Sequence, residues 1–99
     1  MFTRLAIKKY VSKLRPTLEK RYGIQPYYTS SQVRSTVFQR DFSPRFLPLG
    51  YIMCLNRTEL QQVLMAEFPE IDIIEYKAEV MTYLNDSNIY LDLVAMETH

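Results

Sequence analysis

Three helix starts written in one grammar constrain this chain more than any other feature. Thr29 stands three residues before Gln32, Asn56 three before Glu59, and Asp72 three before Glu75. Each leading residue offers a short side-chain oxygen to the open N–H groups of a first helical turn, a cap that contributes on the order of 1 kcal/mol. Tyr28 with Val33, Leu55 with Leu60 and Ile71 with Tyr76 occupy the flanking positions where apolar side chains staple such a start. One match of this kind is weak, but three in succession, each opening a helical pattern, specify a helical chain.

The apolar spacing agrees. Leu60, Val63, Leu64 and Phe68 share one helix face before Pro69, and Ile73, Ile74, Val80, Met81 and Leu84 share another before Asn85-Asp86-Ser87-Asn88. Glu75 and Glu79 lie one turn apart on the opposite, solvent-facing side of that last helix. Residues 44–55 differ, because Phe46, Leu47, Leu49, Tyr51, Ile52, Met53, Cys54 and Leu55 are apolar on every side. Such a run is a buried strand or a buried helix. With no second strand to pair with, it reads as a helix, opened by Pro44 and kinked near Pro48.

The first 23 residues form a long basic helix. Ile7, Val11, Leu14, Leu18 and Tyr22 make an apolar stripe with Tyr10 at its edge, and Gly23 suits the left-handed turn that closes a helix. Pro16 interrupts it, since proline lacks the N–H for the Ser12 carbonyl and crowds it at about 3 kcal/mol. The stripe stays in phase across the proline, which predicts a kink near Pro16 and not a loop. The fold class is therefore all-α: one small bundle of about five helices, near 3–22, 30–40, 44–55, 57–67 and 73–85. The tail 86–99 has no clear pattern.

Ninety-nine residues form one domain, 1–99, large enough for a single core without staples. The single cysteine, Cys54, excludes an internal disulfide framework and suits a reducing compartment. The longest apolar run is broken by Pro48 and Gly50 and falls far short of the roughly 18 residues of a membrane span. Lys8 and Lys9 break up what would be the apolar part of a secretory signal. A cytoplasmic location follows as the expectation.

Net charge of +1 conceals a partition. Residues 1–50 carry ten Lys and Arg against Glu19 and Asp41, a balance of +8, whereas residues 51–99 carry Arg57 and Lys77 against nine acids, a balance of −7. Either the two halves answer each other or the basic half answers a ligand. The expectation is the former.

Catalytic signals are absent. Cys54 and His99 are too few for a zinc site and make a poor nucleophile and base, one in the most apolar segment and the other at the last residue. Glu75 and Glu79 read as a solvated face, Asp86-Ser87-Asn88 lacks the glycine and later ligands of a calcium loop, and two glycines cannot build a phosphate cradle. No enzyme, cofactor or metal is expected.

Ala6-Ile7-Lys8-Lys9-Tyr10, Lys13-Leu14, Lys20-Arg21-Tyr22-Gly23 and Tyr27-Tyr28-Thr29 with Gln32-Val33 together resemble a family of short bacterial proteins of unknown function, best over residues 6–33. The resemblance implies a small bacterial domain and no activity, cofactor or site residue.

Two functional readings remain. In the first, the chain is a protein-interaction module, binding a partner or itself, with Lys9, Lys13, Lys20, Arg21, Tyr22, Tyr27 and Tyr28 as contacts. In the alternative it binds nucleic acid, with Ser30, Ser31, Gln32, Arg34, Ser35, Gln39 and Arg40 of helix 30–40 as reading donors. The connection from Tyr22 to Ser30 is longer than the turn of a helix-turn-helix, which counts against the alternative.

Overall fold

The computed structural model describes residues 3–83. In chain order it contains α1 (Thr3–Lys9), a π-helical segment (Tyr10–Leu14), α2 (Arg15–Tyr22), α3 (Ser30–Gln39), a 3-10 turn (Pro44–Phe46), α4 (Leu47–Cys54), α5 (Arg57–Glu67) and α6 (Ile73–Thr82). The first three pieces are continuous, so the described residues form five helices and no strand, as the capping grammar requires. The expected tail 86–99 and the end of the last helix lie outside the described residues.

All three starts are capped. The Thr29 hydroxyl accepts from the Gln32 N–H at 3.1 Å while the Gln32 side chain accepts from the Thr29 N–H at 3.0 Å. Asn56 accepts from the Glu59 N–H at 2.9 Å, and Asp72 from the N–H groups of Ile74 and Glu75 at 2.9 and 3.1 Å. The Glu59 carboxylate caps a different helix, accepting from the Ser30 N–H at 2.9 Å. A negative charge there also complements the positive end of the α3 dipole and ties α5 to α3.

Helix α4 is the centre of the molecule. Seven of its residues are buried, Leu47, Pro48, Leu49, Gly50, Tyr51, Met53 and Cys54. A Cβ added at Gly50 would meet Leu14 Cδ2, Tyr10 Cε1 and Val33 Cγ1, each at 3.2 Å, so the missing side chain is what lets α4 approach the π segment and α3. The kink expected near Pro48 is instead a change of helix: Pro44 opens a separate 3-10 turn, and Pro48 sits in the first turn of α4, where its missing N–H costs nothing.

Pro16 is handled upstream of itself. The backbone keeps helical angles at Lys9, Leu14 and Arg15, and the kink region is the π segment from Tyr10 to Leu14, whose donors reach five residues back instead of four. Ser12 and Thr17 hydroxyls donate to the carbonyls of Lys8 and Lys13, each at 2.7 Å. The extra residue absorbed by the π turn shifts the inward face by one position. Tyr10, expected at the edge of the stripe, is fully buried with Ile7, Leu14 and Leu18, while Val11 and Tyr22 are only half-buried. A second correction concerns α6, where Ile74 is 78% exposed and Tyr76 turns inward beside Ile73 and Val80.

Candidate binding groove

Three basic residues of the long helix, Lys9, Arg15 and Arg21, are answered by neutral oxygens. Lys9 Nζ donates to the carbonyl of Asp41 at 2.8 Å and lies 4.8 Å from the Phe42 ring centroid. Arg15 donates to the carbonyls of Gln25 and Pro26 at 2.8 and 3.0 Å, and Arg21 to the side chains of Thr36 and Gln39. The ion pair that joins the two halves, Arg34 with Glu67, involves neither α1 nor α2. The expectation that the acidic half neutralises the basic helix is therefore not met among the described residues.

What these contacts build is a groove of about 510 Å³ lined by Lys9, Lys13, Thr17, Lys20, Arg21, Arg40 and Phe42. Five of the seven lining residues are cations and none is an acid. Two of the five are fixed: Lys9 by the Asp41 carbonyl, which the left-handed backbone of Asp41 (φ 63°) presents, and Arg21 by α3. The side chains of Lys13, Lys20 and Arg40 meet no acidic partner among the described residues. The arrangement is a half-rigid, half-adjustable ring of donors over an aromatic floor, suited to carboxylate or phosphate oxygens.

The π turn helps to align this row. At about 100° per residue, Lys9 and Arg21 would stand roughly 120° apart around a regular helix. A π turn takes up one residue without advancing the face, which brings the two to within roughly 20–30° of one another.

Residues 1–91 match a family of unknown function, DUF6559. The chain belongs to that family. No curated protein and no solved structure matches it. Family membership thus agrees with the resemblance carried by residues 6–33 and supplies no activity to set beside the groove.

Of the expected contact residues, Lys9, Lys13, Lys20 and Arg21 come together in the groove and the others do not. Tyr22 is half-buried beneath the Arg21 guanidinium, 5.3 Å from its ring centroid. Tyr28 is buried, donating from its hydroxyl to the Gly23 carbonyl at 2.7 Å. Tyr27 is exposed and lines a separate groove. Gln32 is used in the α3 cap, and Arg34 donates to the Tyr51 hydroxyl at 3.2 Å and pairs with Glu67, so the proposed reading helix has lost two of its donors to the fold. Thr17 and Phe42 were not singled out by the sequence, and Arg40 only as a reading donor. The cue for Arg40 and Phe42 was the end of α3, where Arg40-Asp41-Phe42 turns back onto the basic helix.

The separate groove, about 870 Å³, is larger and mostly aliphatic, with Ile52, Met53, Leu60 and Ile73 among its walls. Its charges, Arg15, Arg57 and Lys77 with Asp72, are of both signs, so it lacks the single-sign field that makes the smaller groove distinctive. Among the described residues no group of three or more His, Cys, Asp or Glu could hold a metal ion. Burial pushes the Cys54 thiol up to about 12, opposed slightly by Arg15, which keeps it in the unreactive protonated form. No helix among the described residues is long and apolar enough to cross a membrane.

Proposed function

We propose that this chain is a small cytoplasmic interaction module, without catalytic activity, that holds an acidic protein surface in the basic groove. The observation that carries this reading is the convergence of Lys9, Lys13, Lys20, Arg21 and Arg40 on one cavity with no acid in its lining. Carboxylates of a partner would be met by charge-assisted hydrogen bonds, and Phe42 with the aliphatic stems of the lysines would cover adjoining apolar atoms. Titration with a short poly-glutamate peptide at low ionic strength tests it. Binding should be measurable by calorimetry, weaken with salt, and drop at least about tenfold when Lys13 and Lys20 are both replaced by Glu, an effect of the size expected for close charge pairs. No binding, or binding indifferent to that replacement, refutes the reading.

Nucleic acid is the second reading, favoured by the single-face row of Lys9, Lys13 and Lys20, which matches a charged backbone. With Gln32 and Arg34 engaged in the fold, such binding would be indifferent to base sequence. Its signature is a logarithmic salt slope near −0.9 per phosphate contact on random duplex DNA. A net charge of only +1 speaks for the protein partner, since general nucleic-acid binders are strongly basic overall.

A further inference from the structure

The charge partition and the groove together identify a partner of suitable chemistry close at hand. The groove is lined only by residues between Lys9 and Phe42, all in the half that carries +8, so none of the acids in the other half reaches it among the described residues. Those acids are displayed elsewhere. On α6, Glu75 and Glu79 stand exposed one turn apart, with Glu70 exposed just before the helix, while Lys77 turns toward the larger groove. Within one molecule the two surfaces leave each other unsatisfied. Between two molecules they are complementary in sign and in form, a concave cationic row against a convex helix face bearing carboxylates one turn apart.

We infer that the basic groove of one chain receives the acidic face of α6 from a second copy. This inference rests on the reading of the groove as a site for an acidic protein surface and names that surface. The contact joins two different patches, so it is heterologous: each copy keeps a free groove at one end and a free acidic face at the other, and association proceeds head to tail. The groove is small against the roughly 800 Å² per partner of a stable interface, so the association is weak, concentration-dependent and strongly screened.

Sedimentation of the full chain at several concentrations tests this, with two variants: Lys13→Glu with Lys20→Glu in the groove, and Glu75→Gln with Glu79→Gln on α6. These side chains are exposed, and an unchanged circular dichroism spectrum verifies the fold. At about 20 mM salt the wild-type average mass should rise with concentration and return to the monomer value at about 500 mM. Each variant alone should stay monomeric, since each lacks one of the two patches. An equimolar mixture should give complexes of two chains and nothing larger, because the intact face of one variant fits the intact groove of the other and both free ends are blocked. Wild type that stays monomeric at low salt, or variants that associate as wild type does, overturn the inference. Poly-glutamate titration separates the two levels. A monomeric chain that still binds poly-glutamate loses the self-partner and keeps the proposed function, whereas one that binds neither loses both. Steep salt-dependent binding to random duplex DNA without self-association overturns both in favour of nucleic acid.

Discussion

Replacing Tyr10 and Val11 separately by Ala measures which of them the first helix buries. A regular helix directs Val11 inward with Ile7, Leu14 and Leu18, whereas the π segment Tyr10–Leu14 moves Tyr10 there. Tyr10 is fully buried, packs edge-on against Phe42 and Phe46 with ring centroids 5.3 and 6.5 Å away, and donates from its hydroxyl to the Ser43 carbonyl at 2.6 Å. Emptying a buried aromatic site costs about 3–5 kcal/mol, and the lost hydrogen bond adds about 1 kcal/mol. Tyr10→Ala should therefore cost at least about 4 kcal/mol, a large share of the 5–15 kcal/mol that holds such a domain. Val11→Ala, at a half-buried position, should cost less than about 1 kcal/mol. Tyr10→Phe isolates the hydroxyl and should cost about 1 kcal/mol. Urea unfolding followed by circular dichroism gives all three values, provided that the slopes match the wild type. A Val11→Ala loss equal to or above that of Tyr10→Ala would show that the helix runs through residues 10–14 in regular α register, and the π turn would be wrong.

Leu64, buried in α5, should lose roughly 2–5 kcal/mol on replacement by Ala in the same assay; a loss well under 1 kcal/mol would show that this face is not core. Cys54, buried in α4, should react with a thiol reagent only as fast as the protein opens, and prompt stoichiometric labelling under native conditions would contradict its placement. Alkaline pH should unfold the protein. Burial raises Cys54 from 9.0 to about 12 and Tyr76 from 10.0 to about 12, and raises Tyr10 as well. Since the folded state keeps these protons, their contribution is complete below pH 9 and is lost as the pH climbs from 9 through 12. A stability that stays flat across that window would refute the burial of these groups.

The parts of the fold legible in the sequence are those decided within one turn of helix. Thr29, Asn56 and Asp72 cap because a short oxygen finds N–H groups two or three residues on, with no help from the rest of the chain. The apolar residues of 44–55 announce burial in the same local way, and α4 is the most buried helix. What could not be read depends on partners far along the chain. Glu59 looks like the reciprocal half of its own cap, yet it closes the start of α3, 29 residues away. Tyr22, Tyr27 and Tyr28 look like one aromatic patch, but the turn after Gly23 buries Tyr28 under Arg15 and sends Tyr27 to another groove. In the site, the lysine row was legible from its spacing. Arg40 and Phe42 became part of it only because the chain reverses after α3 through the left-handed Asp41.

Pro16 joins these two levels. A proline in a long helix forces a choice between a break, which would separate Lys9 from Lys20, and an accommodation that keeps the axis continuous. The π segment is the second outcome, and it has two effects at once. Inward, it brings Tyr10 into the core beside Gly50, where an added Cβ would stand only 3.2 Å from the ring. Outward, it compensates the drift of a regular helix and stacks Lys9, Lys13, Thr17 and Arg21 along one line facing Arg40 and Phe42. The burial of Tyr10 and the alignment of the cations are therefore one structural event. A substitution that restored regular α register between Tyr10 and Leu14 would move the tyrosine from the centre of the buried face toward its edge and swing Lys9 away from the groove together, so stability and anion affinity should fall in step across variants in this segment.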